Sequence, residues 1–233
     1  MKTFVTFKYE KVNMKHRSVN QRITFIGFML TVFWISPLLY SESTTTYALV
    51  SDAVIDGISA KVLKNKAVLV NRNVITAVVN ESEIPPEALT IDLPGTMLMP
   101  GMINVHEHPM IYKHDYQNGH LEASSAYKAL LGLSNLQNLL LAGWTTIRVM
   151  GDADVFYAVQ DLKRIIDEGV FSGPRLTGAA HYISITGGGG DINYLSPEQH
   201  VISDGLIVDG ADEIRKAIRE EIKYGSDWIK IMV

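Results

Sequence analysis

Three observations predict an α/β protein whose main body is built from part of a β/α barrel. Strands and helices alternate from Pro100 onward, short β-branched strands fill the stretch before it, and residues 1–40 are first basic and then apolar. Alternation of this period implies a parallel sheet covered by helices. A Rossmann-like sheet is the competing arrangement, but no Gly-x-Gly-x-x-Gly follows a strand. The strands before Pro100 are too short and too few to enclose a core, which makes them one part of a small β-sandwich.

The N-terminus has the pattern of a secretory signal. Lys2, Lys8, Lys11, Lys15, Arg17 and Arg22 precede an uncharged run from Ile23 to Tyr40, and Ser41-Glu42-Ser43 offers small residues for cleavage after Ser43. Met14 could serve as an internal start. The alternative is an uncleaved anchor formed by residues 23–40, since about 18 to 20 apolar residues can just span a bilayer. Pro37 near the end of the run favours cleavage. Both readings make residues 1–43 a signal peptide or anchor and send the remainder to the periplasm or the outside; the membrane is a partner only if the segment stays uncleaved.

Composition narrows the partners. The 233 residues carry a net charge of −4 and no cysteine. Disulfide scaffolds, thiolate zinc sites and a cysteine nucleophile are excluded. Residues 1–43 hold six Lys/Arg against two Asp/Glu, leaving 15 against 23 and a net −8 beyond them. That acidic body argues against nucleic acid or anionic lipid, and is compatible with a homo-oligomer.

In chain order, Tyr47–Ile55, Ala67–Val70 and Val74–Val79 read as strands of the segment 47–99, separated by Asp56-Gly57 and by Asn71 to Asn73. In the segment 100–233, Met102–His106 reads as a buried strand. Glu122–Leu141 is a predicted helix with Ala126, Leu130, Leu133, Leu136 and Leu140 at helical spacing and Gly143 as its stop. Thr145–Val149 is a strand, Asp154–Glu168 a helix, and Arg175–Ile183 a third strand. A Gly-rich loop, with Thr186-Gly187-Gly188-Gly189-Gly190-Asp191 at its start, runs to about Gly205. It lacks the Lys-Ser/Thr of a phosphate loop. Ala211–Tyr224 is a helix and Trp228–Val233 a fourth strand. A complete TIM (β/α)8 barrel takes about 250 residues. Pro100 to Val233 makes 134, the first half of one.

Two features carry chemistry. His106 and His108 share a strand face at its carboxyl end, where two imidazoles can hold a divalent metal. The alternative is two unrelated polar residues at the start of a loop. The metallo-β-lactamase pattern H-x-H-x-D-H is excluded by Met110 and Ile111. Lys230 alternates with Ile229 and Ile231, so it points into the barrel if the isoleucines meet the helices. An unpaired buried ammonium costs several kcal/mol, so Lys230 must be paired, neutral or chemically altered. Its alternative is to snorkel to the rim.

These residues give the chain its resemblance. Leu98–Pro109 (LMPGMINVHEHP) resembles the PG-hydrophobic-I/N-x-H-x-H signature of the amidohydrolase superfamily, in its imidazolonepropionase-like and prolidase-like branch. Ala48–Asp56 through Asp92-Leu93-Pro94-Gly95 looks like the start of that branch's β-sandwich. Ala142–Arg148 (AGWTTIR), Ser172–Leu176 (SGPRL) and Gly225–Ile231 (GSDWIKI) look like its barrel strands two to four. The resemblance implies that His106 and His108 bind a metal, and that Lys230, carboxylated on Nζ, bridges to a second one. Zinc is the metal expected, as one or two ions. The implied activity is hydrolysis of C–N bonds in a small amide, dipeptide-like or cyclic amide substrate.

The sequence departs from the branch at several points. Val149 follows Arg148 where the branch often has Asp, and Gly189 or Gly190 stands where it often has His. His114, His120, His181 and His200 match no ligand motif and read as loop or surface. The expected catalytic Asp of barrel strand eight is absent, so no catalytic residue is identifiable. Losing general acid–base catalysis removes roughly 10²- to 10⁴-fold in rate. The alternative function is therefore a truncated, non-catalytic remnant that binds metal weakly at most.

Overall fold

The computed structural model describes residues 45–232. The signal or anchor assigned to residues 1–43 lies outside the described residues, as does Val233. Among the described residues no helix is long and apolar enough to cross a membrane. The chain divides into two compact units at Met99/Pro100.

The first unit is one four-stranded sheet in the order β3-β2-β1-β4, made of β1 (Thr46–Val54), β2 (Lys66–Asn71), β3 (Val74–Asn80) and β4 (Leu89–Leu98). β1, β2 and β3 pair antiparallel in sequence, and β4 returns to lie parallel to β1. Ala48, Ala53, Val54, Ala67, Val68 and Leu69 are its buried apolar residues. β4 was not predicted as a strand, because Pro94-Gly95 interrupts it. Its pairing with β1 shifts register there, between Ser51 and Ala53, which accommodates the missing proline N–H.

The second unit holds two three-stranded parallel sheets, β5-β6-β7 and β10-β8-β9. The strands are β5 (Met102–Glu107), β6 (Trp144–Met150), β7 (Arg175–Ala179), β8 (Tyr182–Ser184), β9 (Leu206–Ile207) and β10 (Lys230–Ile231). The helices are α1 (Tyr116–Glu122), α2 (Ser125–Leu141), α3 (Ala158–Asp167) and α4 (Ala211–Lys223). Met110, Leu136, Ile147, Val149, Val159, Leu162 and Leu176 form a core between β6–β7 and helices α2 and α3. The strands form an α/β arrangement, and no barrel closes among the described residues.

Several sequence expectations change in detail. β5, expected to be buried, leaves Ile103 and Val105 exposed, and the strand expected over Trp228–Val233 narrows to Lys230–Ile231. The single strand expected over Arg175–Ile183 divides into β7 and β8, because Ala180 and His181 donate their backbone N–H groups to the buried Glu221 carboxylate (3.1 and 3.3 Å). The helix expected from Glu122 begins at Ser125, where the Ser124 hydroxyl accepts from the Tyr127 N–H. Its buried face runs through Lys128, Gly132 and Leu136, four apart, while Leu130 is 72% exposed. The helix expected from Asp154 begins at Ala158, since Asp154 Oδ2 accepts from Phe156 and Ala158 N–H and holds the entry in a turn.

Candidate metal centre

β5 ends in a bulge. Asn104 pairs with Ile147 and Glu107 with Val149, so Val105 and His106 together face Arg148. Such a bulge removes ladder hydrogen bonds and re-aims side chains. Neighbouring side chains replace the lost partners. Asn104 Oδ1 accepts from the His106 N–H at 3.0 Å, and Glu107 Oε1 from the His108 N–H at 3.1 Å. Asn104 Nδ2 in turn donates to Glu107 Oε2 at 2.6 Å.

The result is a convergent imidazole pair. His106 Nε2 and His108 Nε2 lie 3.1 Å apart, with the rings inclined at 63°. Two nitrogens bound to one tetrahedral ion at about 2.0–2.1 Å would be about 3.3 Å apart. His108 Nδ1 donates to the Gly151 carbonyl at 2.5 Å, which leaves the Nε2 lone pair free toward His106. Burial holds His108 below the usual imidazole range, and the positive charges of His106 and Lys230 push the same way against the bond to Gly151. A histidine kept unprotonated is one able to ligate.

Lys230 opens β10, in parallel register with Tyr182 of β8. It is half-buried, its charge is close enough to His108 to disfavour protonation there, and its ammonium makes no hydrogen bond among the described residues. The structure thus brings together the two predicted histidines and sets the predicted lysine within electrostatic reach of them. Among the described residues no group of three or more His, Cys, Asp or Glu side chains is placed to hold a metal.

The turn after the histidines is gripped by the end of β6. Gly151 (φ +81°) supplies the carbonyl for His108, and a Cβ there would lie 2.8 Å from the Tyr182 ring and 2.9 Å from its backbone nitrogen. Only glycine fits. The next residue, Asp152, is fully buried and accepts from the Met110 N–H (3.0 Å) and the Ala153 N–H. Burial pushes its carboxyl up to about 8, against the bonds from the Met110 and Ala153 N–H groups.

Sequence reasoning missed a second set of buried polar residues. Lys128 on α2 is 2% exposed and donates to the Ala153 carbonyl (2.7 Å) and to His120 Nδ1 (3.2 Å), with Asp154 at 3.7 Å. His120 Nε2 donates to the Ile202 carbonyl. His181 Nδ1 meets Glu221 at 2.8 Å. Burial raises the Glu221 carboxyl, but the bonds from His181 and Ser226 outweigh it and hold the group below its ordinary value. His120 and His181 are therefore buried, contrary to the loop or surface reading, while His114 and His200 are exposed. The position of Lys128, one turn before Gly132 and two before Leu136, was the available signal. The start of the Gly-rich loop is closed by carboxylates, with Thr186 N–H donating to Asp209, just beyond β9, and Gly187 N–H to Asp191 within the loop. That arrangement disfavours a phosphate.

The sequence model of the amidohydrolase family matches residues 97–233. The ochratoxinase of Aspergillus niger is 29% identical over 195 residues, 73% of this chain and 38% of that protein. A prolidase solved with N-methylphosphonate-L-proline is 26% identical at a TM-score of 0.69, covering 80% of this chain and 46% of its own. An amidohydrolase structure is 27% identical at a TM-score of 0.68, with the same coverage. The chain thus spans less than half the length of each of these relatives.

Proposed function

The chain belongs to the amidohydrolase family, and from that premise we propose that it contributes the first metal-binding elements of an exported hydrolase acting on C–N bonds. The observation that carries this reading is the His106–His108 pair, with two Nε2 atoms 3.1 Å apart and one imidazole fixed by the Gly151 carbonyl. His106 and His108 hold a divalent metal, zinc by ligand type. Lys230, carboxylated when its neutral amine adds CO₂ and releases a proton, supplies an anionic oxygen ligand from β10. A cation held there would supply Lewis acidity toward a substrate carbonyl and a bound water.

The chain's own residues do the orienting. Gly151 fixes the ring of His108, and Asp152 fixes the turn that follows it. Asn104 and Glu107 hold the bulge that turns His106 toward His108. The substrate class is a small amide or dipeptide-like molecule, as the names of the ochratoxinase and the prolidase suggest.

The test is a hydrolysis assay on zinc-loaded protein with N-acyl amino acids and X-Pro dipeptides, beside His106→Ala and Lys230→Ala. Release of the amine by the wild type, abolished in both variants, supports the reading. Turnover retained by either variant contradicts the site assignment. Metal uptake without turnover assigns the chain to the non-catalytic alternative.

A further inference from the structure

Arg148 stands opposite the bulge that aims the histidines. On the β6 side it alone faces Val105 and His106. A bulge leaves a main-chain group without a ladder partner, and here the side chain of the facing residue takes it: Arg148 Nε donates to the Val105 carbonyl at 2.8 Å. The guanidinium is held in that position by Trp228. Its central carbon lies 5.0 Å from the centre of the Trp228 ring, at cation–π distance. Trp228 is itself fixed, its Nε1 donating to Thr177 Oγ1 at 3.0 Å. One side chain therefore connects the peptide preceding His106 to the residue two positions before Lys230, and β6 and β7 supply the anchors.

We propose that Arg148 is a positioning residue for the metal centre, fixing the β5 bulge and thereby the direction of His106 relative to His108 and Lys230. The inference rests on the metal-site reading above. Arg148 acts through the Val105–His106 peptide and not by contact with substrate or metal. Arginine suits the task because its planar head can stack on an indole while its Nε–H points along the plane, which a lysine ammonium cannot do.

The test is Co²⁺ binding, followed by the visible absorption of the ion, in the wild-type chain, Arg148→Met, His106→Ala and the double variant. Arg148→Met is expected to weaken Co²⁺ about tenfold, the lower range for outer-shell partners of a metal site, and to alter the absorption band. In the His106→Ala background it should have no further effect, a non-additivity that a general loss of stability would not produce. Trp228→Leu, which removes the stacking plate, should weaken Co²⁺ about threefold, and it serves if Arg148→Met does not fold. Unchanged affinity and spectrum in Arg148→Met, or full additivity with His106→Ala, overturns the proposal.

If the wild type takes up no Co²⁺, the metal reading falls, and amide hydrogen exchange decides this one. Faster exchange at His106 to His108 in Arg148→Met, with β1 to β3 unchanged, sustains Arg148 as the residue that fixes the bulge. Unchanged exchange there overturns it.

Discussion

Two pairs of histidines meet different fates in the second unit. His120 and His181 are almost fully buried and bound to protein partners, His120 through both ring nitrogens and His181 through Nδ1. His106 and His108 are less buried, and their Nε2 atoms point at each other. The first pair connects segments distant in sequence, α1 to the loop before β9 and the β7–β8 break to α4. The second pair leaves coordinating capacity unspent. Burial of a histidine thus marks a structural joint as readily as a site; His181 also keeps an unpartnered Nε2 among the described residues, and the convergence of two Nε2 atoms distinguishes the second pair.

The contrast can be broken from the structural side first. Lys128→Met leaves the Asp154 carboxylate buried without its cation, and removing one partner of a buried pair costs about 3–5 kcal/mol. Urea denaturation should show that loss in the unit from Pro100 onward. Glu221→Gln weakens charge-assisted bonds to His181, Ser226 and two backbone N–H groups. Hydrogen bonds to a charged group contribute about 1.5–3 kcal/mol, and a thermal melt should report a fall of that order.

The two buried acids should respond oppositely to pH. The folded value of Glu221 is lowered, so its stabilisation is present above the unfolded carboxylate pKa, about 4.3, and is lost as pH falls through the folded value. Asp152 is raised to about 8, so the native state retains a proton that the unfolded state has released above about pH 4. Stability should therefore decline between about pH 4 and 8, by at most about 1.4 kcal/mol per pH unit from this group. Urea midpoints at pH 5 and pH 8 should differ less in Asp152→Asn than in the wild type. The smallest stability effect belongs to the His106–His108 pair. His106→Ala should alter the unfolding free energy from urea denaturation by no more than about 0.5 kcal/mol, as for a surface substitution, because no buried partner among the described residues depends on its ring.

Local signals in the sequence carried much of this arrangement. Strands β1 to β3, β5 and β6 follow β-branched runs, and the H-x-H at the end of β5 signalled two imidazoles on one face. What stayed hidden depends on contacts between distant residues. The break between β7 and β8 is set by Glu221, some 40 residues later. The buried face of α2 turns on Lys128, whose place inside is secured by His120, Ala153 and Asp154. Strict alternation along β5 would separate Asn104 from Glu107, yet the bulge brings their side chains within 2.6 Å. No periodicity encodes a bulge whose carbonyl is taken by an arginine on the next strand.

The central claim is that His106 and His108 form a metal site, and equilibrium dialysis against zinc tests it most directly. Wild-type protein should retain at least one equivalent at micromolar free zinc, and the His106→Ala/His108→Ala double variant, folded by circular dichroism, should retain none. Equal zinc in the two proteins, or none in the wild type, would contradict the account.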